Sequence, residues 1–144
     1  MPAENERGLL DTNIVILRRW IDPDHLPAEM AISAVTLAEL SAGVHLLRVD
    51  ADEAAERARR TDLLQRVEHE FDPIPFDADA ARAFGRISAA VQAIGRTPRR
   101  RIADLMIAAI AAAQSLPLYT ANPHDFVGLD ELFNIVAVPR PETH

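Results

Sequence analysis

Cysteine and lysine are both absent from this 144-residue chain. Without cysteine there is no disulfide, no thiolate nucleophile and no zinc–cysteine cluster. Without lysine, chemistry that rests on a Schiff base or a phosphate-gripping ammonium is excluded, since all 15 basic residues are arginine. Aromatic residues make up 5%, too few for an extended platform on which bases stack. Long apolar runs are also missing. The longest, Leu105 to Ala113, has about nine residues, against the roughly 20 that a bilayer requires. The N-terminal Met1-Pro2-Ala3-Glu4-Asn5-Glu6 is acidic and has no apolar signal core, so a cytoplasmic location is expected.

What is present suffices for one domain over residues 1–144, with no internal repeat and no linker. Hydrophobic residues make up 49% and charged residues 26%. The abundance of alanine and arginine reads as a genomic bias and carries no functional weight. The net charge of −7 weighs against a protein that coats itself in nucleic acid. It leaves room for an enzyme whose negative charges gather round a metal.

The apolar pattern alternates short strands with helices. Glu6 to Leu10 reads as a strand and Asn13 to Ile21 as a helix, which Asp22-Pro23-Asp24 stops. Met30 to Val35 reads as a second strand. Thr36 to Leu47 follows as a helix, with Leu37, Leu40, Val44 and Leu47 at helical spacing. Asp50 to Phe71 is a long charged helix. In it Glu53 faces Arg57, Glu56 faces Arg60 and Asp62 faces Arg66, while Leu64, Val67 and Phe71 form its apolar stripe. Ile74-Pro75-Phe76 is a brief strand, Asp77 caps a helix over Asp79 to Ile94, and Gly95 closes it. Arg96 to Arg101 is a basic connector to an Ala-rich buried helix, Ile102 to Leu116. Pro117 to Thr120 and Asn134 to Val138 are the last strands. The expected architecture is α/β, a mainly parallel sheet flanked by helices, with its site beyond the carboxyl ends of the strands.

Four acids fall near strand-to-helix junctions or helix starts: Asp11, Glu39, Asp104 and Asp125. Each has a plain structural alternative. Asp11 suits a helix cap, Thr36 to Glu39 fits a capping box, and Asn122 to Asp125 resembles a further cap with Pro123 in the first helical position. Asp104 fits that alternative least. It sits among Ile102, Ala103, Leu105, Met106 and Ile107, and a buried carboxylate needs a proton, an arginine or a metal cation. Arg99, Arg100 and Arg101 are the arginines at hand. Together the four carboxylates form a hard, all-oxygen donor set suited to Mg²⁺ or Mn²⁺, and hydrolysis of a phosphodiester is the chemistry such a set supports.

At these residues the chain resembles PIN-domain ribonucleases, and most closely the VapC-type toxins of bacterial toxin–antitoxin pairs. The stretches that carry the resemblance are "LLDTNIVI", "ISAVTLAEL", "RRRIADLMIAA" and "LYTANPHDFVGL", in the family's order, over about Gly8 to Val138. The resemblance implies a three-layer PIN-like domain built on a four- to five-stranded sheet, which cleaves RNA with one or two Mg²⁺ or Mn²⁺ ions. It implies Asp11, Glu39 and Asp104 as metal-coordinating acids and Asp125 as the more variable fourth. Thr12, Asn13, Ser33 and Thr120 would orient carboxylates. Asn122 would orient or coordinate, and His124 is loop surface. It implies a homodimer and a cognate antitoxin, which lays a helix or tail in an apolar groove and sets an arginine against the acids. Trp20, Leu17, Leu40, Val44 and Leu47 are candidates for that groove or else ordinary core, with Trp20 the best candidate for exposure.

Arg96, Arg99, Arg100 and Arg101 stand just before Asp104, where they either meet RNA phosphates, pair with the acids or face water. With few aromatics, specificity is expected to rest on RNA shape and a short single-stranded loop. Two other classes share features with this reading. Phosphoryl-accepting aspartate sites normally require a lysine, which this chain lacks. A binding module that keeps the fold without cleaving would leave RNA intact when metal is supplied.

Overall fold

Leu9 and Leu10 are adjacent, so an extended strand sends them to opposite faces of a sheet. A computed structural model of the chain describes residues 6–47 and 51–142, without the side chains of 51, 52 and 100. In it β1, Arg7–Leu10, buries both leucines fully, Leu9 in one apolar cluster and Leu10 in another. Leu118 and Tyr119 divide in the same way on β3, Leu118–Thr120. With β2, Glu29–Ala31, and β4, Ile135–Ala137, they form a four-stranded sheet in the order β2-β1-β3-β4, parallel at every pairing.

A parallel sheet buried on both faces requires a helical layer on each. On one face lie α4, Ala78–Ala93, and α5, Ile102–Gln114, whose Leu105 and Ile107 to Ala111 are fully buried. On the other lies α1, Thr12–Leu17, with Leu40 of α2, Ala34–His45, and Val67 of α3, Ala51–Glu70. Among the described residues no helix is long and apolar enough to cross a membrane.

Several boundaries differ from expectation. The helix expected to reach Ile21 ends at Leu17 and tightens into a 3₁₀ turn, Arg18–Trp20. The second strand stops at Ala31 because Ser33 turns out to cap α2, its hydroxyl accepting from the Thr36 N–H at 3.0 Å. That helix therefore begins at Ala34, and the capping-box reading of Thr36 and Glu39 gives way to a cap at Ser33. Ile74 makes only a single bridge to Ser33, so the sheet has four strands. On α3 the pairs Glu56–Arg60 and Asp62–Arg66 form as expected. Arg57 instead donates to the carbonyls of Val44 and Leu47 and ties down the end of α2. Asp50, expected to open that helix, lies outside the described residues, as does the acidic stretch 1–5. Asp77 caps α4 by accepting from the Ala80 N–H, and Gly95 follows it in the left-handed region at φ 84°.

Gly8 marks where the sheet is tightest. A Cβ at this position would collide with the Tyr119 ring and stand 3.0 Å from Pro27. Tyr119 is itself packed in the core, so the ring has little room to retreat. Gly8→Ala is expected to cost about 1–3 kcal/mol through overpacking. In urea unfolding this appears as a lower midpoint with an unchanged slope.

Candidate metal centre

β1 has β2 on one side and β3 on the other, so the chain connections diverge there and leave a crevice beyond their carboxyl ends. Asp11 is the first residue after β1 and stands at that crevice. Its N–H donates to the Tyr119 carbonyl at 2.9 Å, holding it to the end of β3. One carboxylate oxygen accepts from the Thr12 N–H at 2.9 Å, which caps α1. The other accepts from the Thr120 hydroxyl at 2.8 Å. Only 6% of Asp11 is exposed. Burial pushes its carboxyl above the ordinary aspartate range, the bonds from Thr120 and Thr12 oppose the shift, and the charges of Glu39 and Asp125 add to it.

Glu39 reaches the same region from α2. The Thr12 hydroxyl donates to its carboxylate at 2.5 Å and lies 2.9 Å from the Thr36 hydroxyl. A hydroxyl has one proton to give, and that of Thr12 goes to Glu39, so Thr36 is the donor to Thr12. The Ser33 hydroxyl in turn donates to Thr36 at 3.4 Å. The buried hydroxyls of Ser33 and Thr36 and the half-buried one of Thr12 thus relay in one direction onto Glu39. A second relay serves Asp11, since the Asn122 N–H donates to the Thr120 hydroxyl at 3.0 Å.

Asp104 lies in the first turn of α5, where a carboxylate suits the helix dipole. It is half-buried rather than enclosed, because the helix opens with an exposed Ile102. Burial raises its pKa, as do the charges of Asp11 and Asp125, while Arg101 lowers it. Asp125 sits on a 3₁₀ turn, Pro123–Phe126. Its carboxylate pairs with Arg101 at 3.1 Å, and its carbonyl accepts from the same guanidinium at 2.6 Å. Arg101 is thus shared between two of the acids.

The four acids feel one another electrostatically: Asp11 with Glu39 and Asp125, and Asp104 with Asp11 and Asp125. Among the described residues no three of them close into a ready-made cage. An all-oxygen set of this kind fits magnesium or manganese nonetheless. Such ions keep several waters and need only one or two carboxylates directly, where zinc would favour the nitrogen and sulfur donors that this set lacks.

The expected supporting residues divide. Thr12 and Thr120 bond acids directly, and Ser33 acts through Thr36. Asn122 uses its backbone N–H toward Thr120, while its side-chain oxygen accepts from Arg140 at 2.8 Å. Asn13 is exposed and bonds none of the acids. Arg96 donates to the His124 carbonyl at 3.3 Å, and Arg99 and His124 are exposed. The Arg100 side chain lies outside the described part. Leu17, Leu40 and Val44 are core, whereas Trp20 is 43% exposed with the Arg19 guanidinium 5.0 Å from its ring. Sequence reasoning missed Thr36 and Arg140 as partners of the site. A signal for Thr36 existed, since three residues before Glu39 is the same helical face. Arg140 follows the last strand and carries no local signal.

A three-layer parallel α/β fold with its acids gathered at the central switch point defines the PIN domain; residues 9–132 match the PIN domain family, and the chain belongs to it. Within that family it stands with the VapC-type toxins. It is 39% identical over 126 residues to Ribonuclease VapC5 of Mycobacterium tuberculosis, across 85% of this chain and 87% of that protein. The crystal structure of VapBC-5, a member of the VapBC family of toxin–antitoxin systems from M. tuberculosis, matches with a TM-score of 0.77 and 34% identity. That match covers 96% of this chain and 100% of the other. VapBC2 from Rickettsia felis, bound to a DNA fragment from its promoter, matches with a TM-score of 0.69 over 92% of this chain and 99% of that one. At 20% identity this likeness shows the fold.

Proposed function

We propose that this chain is a metal-dependent endoribonuclease and the toxin of a toxin–antitoxin pair, in which Asp11, Glu39, Asp104 and Asp125 hold Mg²⁺ or Mn²⁺. The observation that carries the reading is Asp11. It is a buried carboxylate with no arginine partner among the described residues, in the field of further acids. A divalent cation is the counter-charge such a set lacks. Bound there, it supplies a Lewis acid for a phosphate oxygen and a lowered pKa for the attacking water.

The protein's own groups do the rest. The relays ending on Asp11 and Glu39 fix both carboxylates before any ligand arrives, so no reorganisation is required during reaction. Arg101, beside Asp125, and Arg96, bonded to the same turn, present guanidiniums to RNA phosphate, with Arg99 extending the basic edge. The relatives named above are toxin–antitoxin proteins, which supports a cognate antitoxin for this chain, docked near the exposed Trp20, and a homodimeric toxin. A cytoplasmic site of action accords with that role.

Purified, antitoxin-free protein is expected to cut cellular RNA. EDTA should abolish cleavage, and Mg²⁺ or Mn²⁺ should restore it. RNA that is bound yet left intact with metal present would identify a binding module instead. RNA neither bound nor cut would refute the reading.

A further inference from the structure

Arg140 is an arginine three residues beyond the last strand. The chain still follows the sheet there, because the Val138 N–H donates to the Thr120 carbonyl at 2.8 Å. This carries Arg140 past the carboxyl end of β3 to the crevice, where its guanidinium donates to the Asn122 side-chain oxygen. That partner is a neutral amide. Arg140 is exposed, and among the described residues no carboxylate pairs with it, although the chain carries a net charge of −7. A guanidinium has five N–H donors in a planar fork, so most of this one remains available.

Arg96 meets the middle of the same turn. It donates to the carbonyl of His124 and likewise has no carboxylate partner among the described ion pairs. The turn that presents Asp125 is therefore contacted by two guanidiniums, Arg140 where it begins and Arg96 at its middle, and neither has a carboxylate partner among the described ion pairs. A polyanion crossing an acidic centre needs cationic contacts on either side of it.

We propose that Arg140 binds a backbone phosphate of the RNA next to the one that is cut, so that the strand crosses the 122–126 turn between Arg96 and Arg140. This rests on the ribonuclease reading and adds to it a phosphate contact outside the basic cluster at 96–101. The contact is with phosphate and is therefore blind to base sequence.

The test compares wild type, Arg140→Gln and Arg140→Lys on one RNA substrate over a series of salt concentrations. Arg140→Gln is expected to raise KM roughly fivefold while kcat stays within about twofold. The slope of log(kcat/KM) against log[salt] should flatten by about 0.7, the value for one phosphate contact on a single strand. Arg140→Lys should recover most of the slope. The rise in melting temperature with Mg²⁺ should match wild type in both variants, since no acid is altered. An unchanged KM and slope in Arg140→Gln overturns the proposal. So does a changed Mg²⁺ response with an unchanged slope, which would make Arg140 a support for the Asn122–Thr120–Asp11 relay only. A wild-type protein that cleaves no RNA overturns the ribonuclease reading together with this inference. Active wild type with an indifferent Arg140→Gln overturns the inference alone.

Discussion

Asp11→Asn is expected to lower kcat/KM for RNA cleavage by about a thousandfold, about 4 kcal/mol of barrier. The substitution is nearly isosteric. Its side-chain oxygen can still accept from the Thr12 N–H, and the Thr120 hydroxyl can turn to accept from the amide, so the cap of α1 and the tie to β3 persist. What disappears is the negative charge at the switch point. Single-turnover cleavage with saturating Mg²⁺ measures the loss. Circular dichroism and antitoxin binding should be unchanged. A variant that cleaves at the wild-type rate would return Asp11 to the role of a helix cap.

The second large effect concerns stability. Burial and mutual repulsion raise the pKa values of Asp11 and Asp104 in the folded protein. A carboxyl with a raised folded pKa contributes stability below its unfolded value. That contribution is lost as pH rises through the folded value. The metal-free protein is therefore weakened at neutral pH by its own site. Asp11→Asn and Asp104→Asn, each removing one of the interacting charges, are expected to raise its melting temperature by a few degrees. Mg²⁺ acts in the same direction on wild type: at a hundred times its Kd it adds about 2.7 kcal/mol. For a chain of this length that is about 5–10 °C. The gain should shrink as pH falls into the carboxylate range, where protons compete with the metal. Differential scanning fluorimetry over pH, with and without Mg²⁺, reads both effects. A melting temperature indifferent to Mg²⁺ at pH 7 would remove the metal from the account.

Much of this was legible in residue order. Short apolar runs such as the one ending at Leu10 and 3.6-residue spacing along the helices point to alternating strands and helices, because a run buried on both faces suits a strand between two helical layers. The junction position of Asp11 follows from the same reading, and Asp77 and Gly95 announce the ends of α4 by their own backbone chemistry. Ser33 was harder. Its apolar neighbours place it inside a strand, and the Thr36–Glu39 spacing suggests a cap that the fold places three residues earlier. The two signals overlap because serine, threonine and glutamate serve caps and carboxylate relays alike.

Residue order alone supports an alternating α/β fold and excludes lysine and cysteine chemistry, since these depend on composition and on near neighbours. Which groups meet depends on how distant elements pack. Thr12 and Glu39 are joined across two helices, Thr120 and Asp11 across two strands, and Arg140 and Asn122 across the end of the sheet. Such pairs are fixed by strand order and register. Placing β3 beside β1 brings Thr120 to Asp11 although 109 positions separate them, and no local pattern encodes that adjacency.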